Sequence, residues 1–299
     1  MTVPKVGLLV PMWAEGERGP DWPTLKRHAE SAEHAAFDSL WVCDDAMYRL
    51  DGEQLPIFGC IPTAAALCAA TDEISVGTLV TNAHSRSPAL LAKDADTLAA
   101  ISNGRFILGL GAGDDQAQHD ALGLPWEARF RAYEEALEII TTLLRTGAVN
   151  YEGQHYRALG AELAPHTMPP PRILVGGKGP QMLRRAARYA DIWNAYIAWS
   201  GGDAGELLSR FREACDRADR DPTTIEASVA ISVAFDNVPV RVGSKVFPYV
   251  GIRGDAGRIA DELWRLGELG FAHVQVQTAP LDLYGLDRMA EAVQQLRAR

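Results

Sequence analysis

Two adjacent carboxylates, Asp44 and Asp45, follow directly on the apolar run Leu40, Trp41, Val42 and Cys43. At the mouth of a buried strand, mutual repulsion and burial push one of such a pair toward a pKa useful for proton transfer. On an open loop the same dipeptide is two solvated acids. Another acid, Asp114, stands after the glycine-spaced stretch Gly109-Leu-Gly-Ala-Gly113, with Asp115 beside it. Bare backbone at Gly111 lets a flat ring approach while an acid faces it. Alternatively, the glycines serve only a tight strand exit, and Asp114 or Asp115 caps the next helix. His84 is a further candidate, since an imidazole titrates near neutrality, although a lone loop histidine is more often simply hydrogen-bonded. The other histidines form no HExxH or comparable spacing, so no metal site is expected.

The turn formed by Gly176, Gly177, Lys178, Gly179 and Pro180 is a different device. It lies between a short apolar run and a helical pattern, where backbone N–H groups can converge on an anion at a helix start. From 163 to 190 there is no Asp or Glu, while Arg172, Lys178, Arg184, Arg185 and Arg188 contribute +5 to a chain of net charge −10. A phosphate or another anion is the expected guest. The plainer alternative is a glycine-rich connection followed by a solvated basic helix face. Neither the Walker A nor the Rossmann spacing is present.

These groups need a scaffold that brings distant loops together. The chain has 299 residues, 47% hydrophobic and 23% charged, the balance of a soluble protein with one large core. Its 29 Lys and Arg against 39 Asp and Glu disfavour nucleic acid and anionic membrane surfaces as partners. The apolar run 6–10 is halted by Pro11, and no stretch approaches the ~18 apolar residues of a membrane span. The four cysteines, Cys43, Cys60, Cys68 and Cys215, show no CxxC spacing. A reduced, cytoplasmic chain is expected.

Eight short apolar or β-branched runs, at 6–10, 39–42, 74–80, 106–110, 173–175, 192–195, 227–235 and 273–277, alternate with eight helical patterns. The helices are expected at 22–35, 62–70, 88–101, 126–146, 180–189, 204–217, 256–269 and 286–297. In the fourth, Phe130, Tyr133, Leu137, Ile140 and Leu144 step by three or four and line one face. Strict β-then-α alternation predicts an α/β fold, a single (β/α)8 TIM barrel over the whole chain, with an open doubly wound sheet as runner-up. Interruptions after the fourth helix (147–172) and the seventh strand (236–254) are expected as loops over a pocket, the first with a small hairpin at 150–156. In such a barrel the chemistry sits at strand C-termini. The candidates above stand there, joined by Trp13 and Glu15 after the first run, Thr81 and Asn82 after the third, and Trp193 and Asn194 in the sixth. Trp13, Trp193, Tyr196 and Trp199 can line an aromatic pocket, or belong to the core.

Several segments in register resemble the bacterial luciferase-like oxidoreductases: Leu40-Trp-Val-Cys-Asp-Asp45, Val76-Gly-Thr-Leu-Val-Thr-Asn82, Ser102-Asn-Gly-Arg-Phe-Ile-Leu-Gly-Leu-Gly-Ala-Gly113 and the stretch from Val175 to Asn194. The resemblance implies a TIM barrel that binds FMN or the deazaflavin coenzyme F420 at the C-terminal strand ends, usually as a homodimer. The cofactor phosphate would lie on Gly176, Gly177, Lys178, Gly179 and Pro180, and the ring among Asp44, Leu79, Val80, Thr81, Asn82, Gly111 and Trp193. In the deazaflavin branch the Leu79–Val80 peptide is expected to be cis. The chain departs from the pattern in carrying Asp45 where many relatives have histidine, and Asp114 where some dehydrogenases have glutamate. The expected activity is therefore hydride transfer between F420 and a small organic substrate, with Asp45, Asp114 or His84 moving the proton. The five basic residues near the turn suit the anionic tail of F420. A monooxygenase using reduced FMN and a non-catalytic cofactor-binding barrel are the alternatives.

Overall fold

The computed structural model describes residues 3–12, 21–45, 47, 49–50, 53–54, 56–198, 201–235, 241–242, 245–246 and 251–299. Eight strands form the wall: β1 (Lys5–Leu9), β2 (Ser39–Val42), β3 (Ser75–Thr78), β4 (Phe106–Gly111), β5 (Arg172–Gly176), β6 (Ile192–Tyr196), β7 (Glu226–Phe235) and β8 (His273–Ala279). Each pairs in parallel with the next, and β1 pairs with β8 through Lys5 opposite His273, so the sheet closes. This is the (β/α)8 barrel that the alternation predicts. Around it run α1 (Trp22–His34), α2 (Cys60–Ala70), α3 (Pro88–Ile101), α4 (Gln116–Ala121), α5 (Arg129–Thr146), α6 (Pro180–Tyr189), α7 (Ala204–Arg217), α8 (Ala256–Leu269) and α9 (Leu283–Arg297).

Alternation along each strand divides the core in two. Outward-facing residues pack under the helices. In α5, Tyr133, Leu137, Ile140 and Leu144 are fully buried, as their spacing predicts, and Phe130 is half-buried. Burying each such side chain stabilises by roughly 1.5–3 kcal/mol. Inward-facing Leu9, Trp41, Leu79, Ile107, Leu174, Ile192 and Ala230 fill the barrel itself. Trp41 spans that interior because its neighbours are glycines: a Cβ at Gly7 would stand 2.4 Å from its indole nitrogen, and one at Gly77 2.4 Å from its ring carbon.

A buried polar layer closes the N-terminal end. Trp41 Nε1 donates to Ser39 Oγ at 2.7 Å, and Ser39 lies 2.8 Å from His273 Nε2. Glu226 stands 3.5 Å from His273 Nδ1 and 3.0 Å from Arg172. Burial opposes ionisation of Glu226, but His273, Arg172 and Lys5 hold its carboxyl down to about 2. This Ser–His–Glu chain imitates a nucleophilic triad, yet Ser39 and His273 are buried under Trp41 and line neither of the two cavities described below.

The first interruption differs from expectation. It is a longer hairpin than 150–156: Ala148–Glu152 pairs with Arg157–Glu162. It does not cover the central cavity. The Glu135 carboxylate of α5 accepts N–H bonds from Gln154, His155 and Tyr156 at 2.9–3.0 Å and pins the turn to the outer face of that helix. Most of 236–254 lies outside the described residues, as do Trp13, Glu15 and Trp199. Of it, Arg241–Val242 pairs with Lys245–Val246, and Ile252–Gly254 adds to the end of β7. Residues 126–128 do not join α5. The short α4 ahead of them is capped by Asp115, which accepts from Ala117 and Gln118 N–H at 2.9 and 3.3 Å.

Candidate active site

A cavity of about 1060 Å³ opens at the C-terminal ends of the strands. Of the residues expected from sequence, Asp44, Asp45, Leu79, Val80, Asn82, Gly111, Asp114, Gly176, Gly177 and Lys178 line it. Its floor is the end of β3, where the Leu79–Val80 peptide is cis. Val80 lies between two bare stretches of backbone: a Cβ at Gly111 would stand 2.5 Å from Val80 Cγ2, and one at Gly176 3.0 Å from Cγ1. At Gly111 a side chain would displace Val80, and at Gly176 it would crowd it, so the two glycines keep the floor open.

The adjacent carboxylates have opposite surroundings. Arg86 grips both oxygens of Asp44 at 2.5 and 2.9 Å, and the Asn82 N–H adds a third bond at 3.0 Å. Asp44 is thereby committed to the loop after β3. Asp45 faces the cavity with the Cys43 thiol hydrogen-bonded to it. Burial above all, and then the charges of Asp114, Asp44 and Asp115, raise its carboxyl to about 6 despite the thiol bond. Burial and the Asp45 charge push the Cys43 thiol well above its ordinary value, so it serves as a donor, not a nucleophile.

Five candidates stand away from the cavity. Strand parity turns Asn194 and Tyr196 inward, so Trp193 points outward, where its indole stacks 4.3 Å from the Phe211 ring. Its part is indirect: Nε1 donates to Gly177 O at 2.9 Å, while the Gly177 N–H donates to Asn194 O at 3.0 Å. The glycine turn is thus held by β6, and the Gly177 N–H is already spent. Thr81 also faces outward, toward Cys60 of α2 at 3.8 Å. Gly179 and Pro180 lie on the exposed rim at the start of α6. His84 lines a separate cavity of about 340 Å³ with Ser85, Arg86, Tyr156 and Arg157. His119 stands between it and the central cavity, 3.0 Å from His84 Nε2.

The basic cluster also disperses on folding. Arg172 serves Glu226 at the far end of the barrel, Arg185 pairs with Glu134 at 2.7 Å, and Arg188 lies 3.6 Å from Glu138. Lys178 alone of the five cations lines the cavity. Arg129 joins it from α5, its guanidinium 3.5 Å over the Trp126 ring.

Asn194 and Tyr196, which the sequence places at the end of the sixth strand and among the pocket aromatics, do line the cavity, turned inward by parity along β6, whereas His119 and Arg129 line it with no signal of their own in the sequence. Asn194 Nδ2 donates to Ser228 Oγ at 3.0 Å and to Gln275 Oε1 at 2.9 Å. Ser228 gives its own hydrogen to Trp193 O, so the amide orientation is fixed. Asn194 Oδ1 and Asn82 Oδ1 are left buried and unpartnered, two acceptors in residues that line the cavity. Buried acceptors of this kind call for a donor.

The sequence profile of the luciferase-like monooxygenases matches residues 6–295. This chain belongs to that family. It is similar to the 5,10-methylenetetrahydromethanopterin reductase of Archaeoglobus fulgidus, 36% identical over 56% of this chain and 47% of that one. It is also similar to the F420-dependent hydroxymycolic acid dehydrogenase of Mycobacterium tuberculosis, 33% identical over 81% of this chain and 62% of the relative. The chain thus spans between about half and two thirds of the length of these relatives. Its barrel superposes on an F420-dependent secondary alcohol dehydrogenase, solved with an F420–acetone adduct, with a TM-score of 0.80 and 21% identity over 99% of this chain and 100% of that one. Among the described residues no helix is long and apolar enough to cross a membrane.

Proposed function

We propose that this chain is an F420-dependent oxidoreductase that moves a hydride between the deazaflavin and a small organic substrate. The observation that carries the reading is the divided carboxylate pair, one acid locked by Arg86 and its neighbour raised to about 6 beside an open floor. Environments that push two like acids apart mark the one available for proton transfer. The names of the relatives point to the same cofactor.

The residues present fit F420. Bare backbone at Gly111 and Gly176 leaves room for a flat ring over Val80, and the unpartnered oxygens of Asn82 and Asn194 can accept from its N–H groups. Lys178 and the start of α6 suit a phosphate. When bound, F420 supplies the hydride acceptor or donor at C5. The protein's own part is the proton. Asp45, close to half protonated near pH 6, holds it when a carbonyl is to be reduced, and takes it when an alcohol is to be oxidised. Asp114 keeps that acid basic enough to do so.

Titrating the apo-protein with F420 and with FMN, followed by fluorescence, tests the cofactor; F420 should bind at least ~10-fold tighter, about 1.4 kcal/mol. Equally weak binding of both would overturn the assignment. The family's description favours a monooxygenase using reduced FMN as the second reading. That reading requires substrate-stimulated oxygen uptake with reduced FMN, which the F420 reading does not. A non-catalytic barrel would bind F420 and show no turnover with any candidate substrate. The homodimer implied by the resemblance and the cytoplasmic setting expected from the cysteines and the short apolar runs belong to the same proposal, and light scattering checks the former.

A further inference from the structure

His119 Nδ1 lies 2.8 Å from the Asp115 carbonyl, which can only accept, so this nitrogen carries the hydrogen. The bare Nε2 of a neutral His119 then faces His84 Nε2 at 3.0 Å. His84 Nε2 is also 3.1 Å from the Ala112 carbonyl, another pure acceptor. One hydrogen on His84 Nε2 therefore serves two acceptors, and both rings are neutral. Burial lowers His84 below the ordinary imidazole value, against the bond to Ala112 and with the help of His119, Arg129 and His155.

The couple is built into the loop that carries Asp114. Gly113 has no side chain at the place where a Cβ would stand 2.3 Å from His119 Cε1. On the other side, Trp126 packs edge-on to His119 at 5.0 Å, with Arg129 stacked on its outer face. The Tyr156 hydroxyl of the hairpin donates to His84 O at 3.4 Å. Through Ala112 O and Asp115 O, the two histidines grip the loop on both sides of Asp114.

We propose that His84 and His119 form a neutral positioning couple that holds the loop from Gly111 to Asp115, and so keeps the Asp114 carboxylate facing Asp45. The role rests on Asp45 being the proton-carrying acid. His84 is thereby not a catalytic group. It acts through the loop.

The test uses the apo-chain and nuclear magnetic resonance, so it does not depend on F420 binding. At pH 7 the wild type should show a bare Nε2 on His119 and a protonated Nε2 on His84. The Asp45 carboxyl should titrate near 6. In His84→Leu the loop loses its donor, and the Asp45 midpoint should fall by at least ~0.5 unit as Asp114 withdraws and water enters. In His84→Gln, whose amide can donate to both acceptors, the midpoint should stay within ~0.2 unit of wild type. Should the Leu variant fail to fold, His84→Asn, too short to reach both acceptors, takes its place with the same expected fall. An unmoved Asp45 in the donor-less variant, a His84→Gln variant that behaves like it, or a hydrogen found on His119 Nε2 would each overturn the couple. Failure of F420 to bind would instead strike the cofactor reading alone.

Discussion

Arg86 takes both oxygens of Asp44, so substitutions at the two adjacent acids should move stability in opposite directions. Asp44→Asn leaves the Arg86 guanidinium, 27% exposed, without its counter-charge, and should cost about 2 kcal/mol at pH 8. Asp45 works the other way. Its folded-state value of about 6 exceeds the ordinary 3.8, so the fold prefers the protonated form. Above pH 6 the ionised carboxylate withdraws up to ~3 kcal/mol of stability, while below pH 4 both states are protonated and nothing is withdrawn. Asp45→Asn should therefore raise the melting temperature at pH 8, lose that advantage by pH 4, and lower turnover at least ~100-fold. Thermal melts at the two pH values check the sign. A variant less stable than wild type at pH 8 would remove the argument for a raised acid.

At the scale of the elements, the floor of the cavity depends on side chains that are missing. Gly111→Ala puts a Cβ 2.5 Å from Val80 Cγ2, and the valine must move into the space over β3. F420 binding should weaken by at least ~10-fold, and Val80→Ala in the same chain should recover most of it, because the two positions share one contact. A double variant no better than Gly111→Ala would show that the floor is not the contact that matters. Elements were the scale at which sequence was most informative. Period and punctuation locate the barrel strands and the helices around them, all but the short α4 (Gln116–Ala121), because each alternation buries a continuous face. What pattern could not supply was the direction of single side chains and the partners of charges. The resemblance puts Trp193 at the cofactor, yet Asn194 and Tyr196 share its strand and take the inner face, which leaves the indole outside. The basic run from Arg172 to Arg188 was contiguous in sequence, but a strand and a helix carry its members to opposite ends of the barrel and onto glutamates of α5 and β7. The hairpin after α5 reads as a lid by its length alone, and the Glu135 carboxylate that fastens it elsewhere is 19 residues from the first N–H it accepts.

For the whole molecule, acid should act in stages set by buried groups far from the site. His28 of α1 is 1% exposed, and burial lowers it to about 4 against the charge of Asp282 and a bond to its backbone. Its folded-state value lies below the unfolded 6.5, so above pH 6.5 it is neutral in both states and costs nothing. As pH falls from about 6.5 to about 4 the unfolded chain takes up a proton that the fold refuses, and stability declines by up to ~3 kcal/mol, then levels. Glu226 enters lower. Held at about 2 against an ordinary 4.5, it contributes stability that is complete above 4.5 and is lost as pH falls through about 2. Asp45 runs opposite to both, relieving the fold as it protonates between pH 6 and 4. The net curve should therefore be shallow from 6.5 to 4, where His28 and Asp45 offset each other, and steep below 4.5. Replacing His28 by Leu, nearly equal in volume and free of the charging cost, leaves Asp45 unopposed, so that chain should gain stability on acidification from pH 6.5 to 4 before Glu226 gives way. Urea melts across that range read the difference directly. A His28→Leu curve parallel to wild type between 6.5 and 4 would mean that the imidazole is solvated in the fold after all.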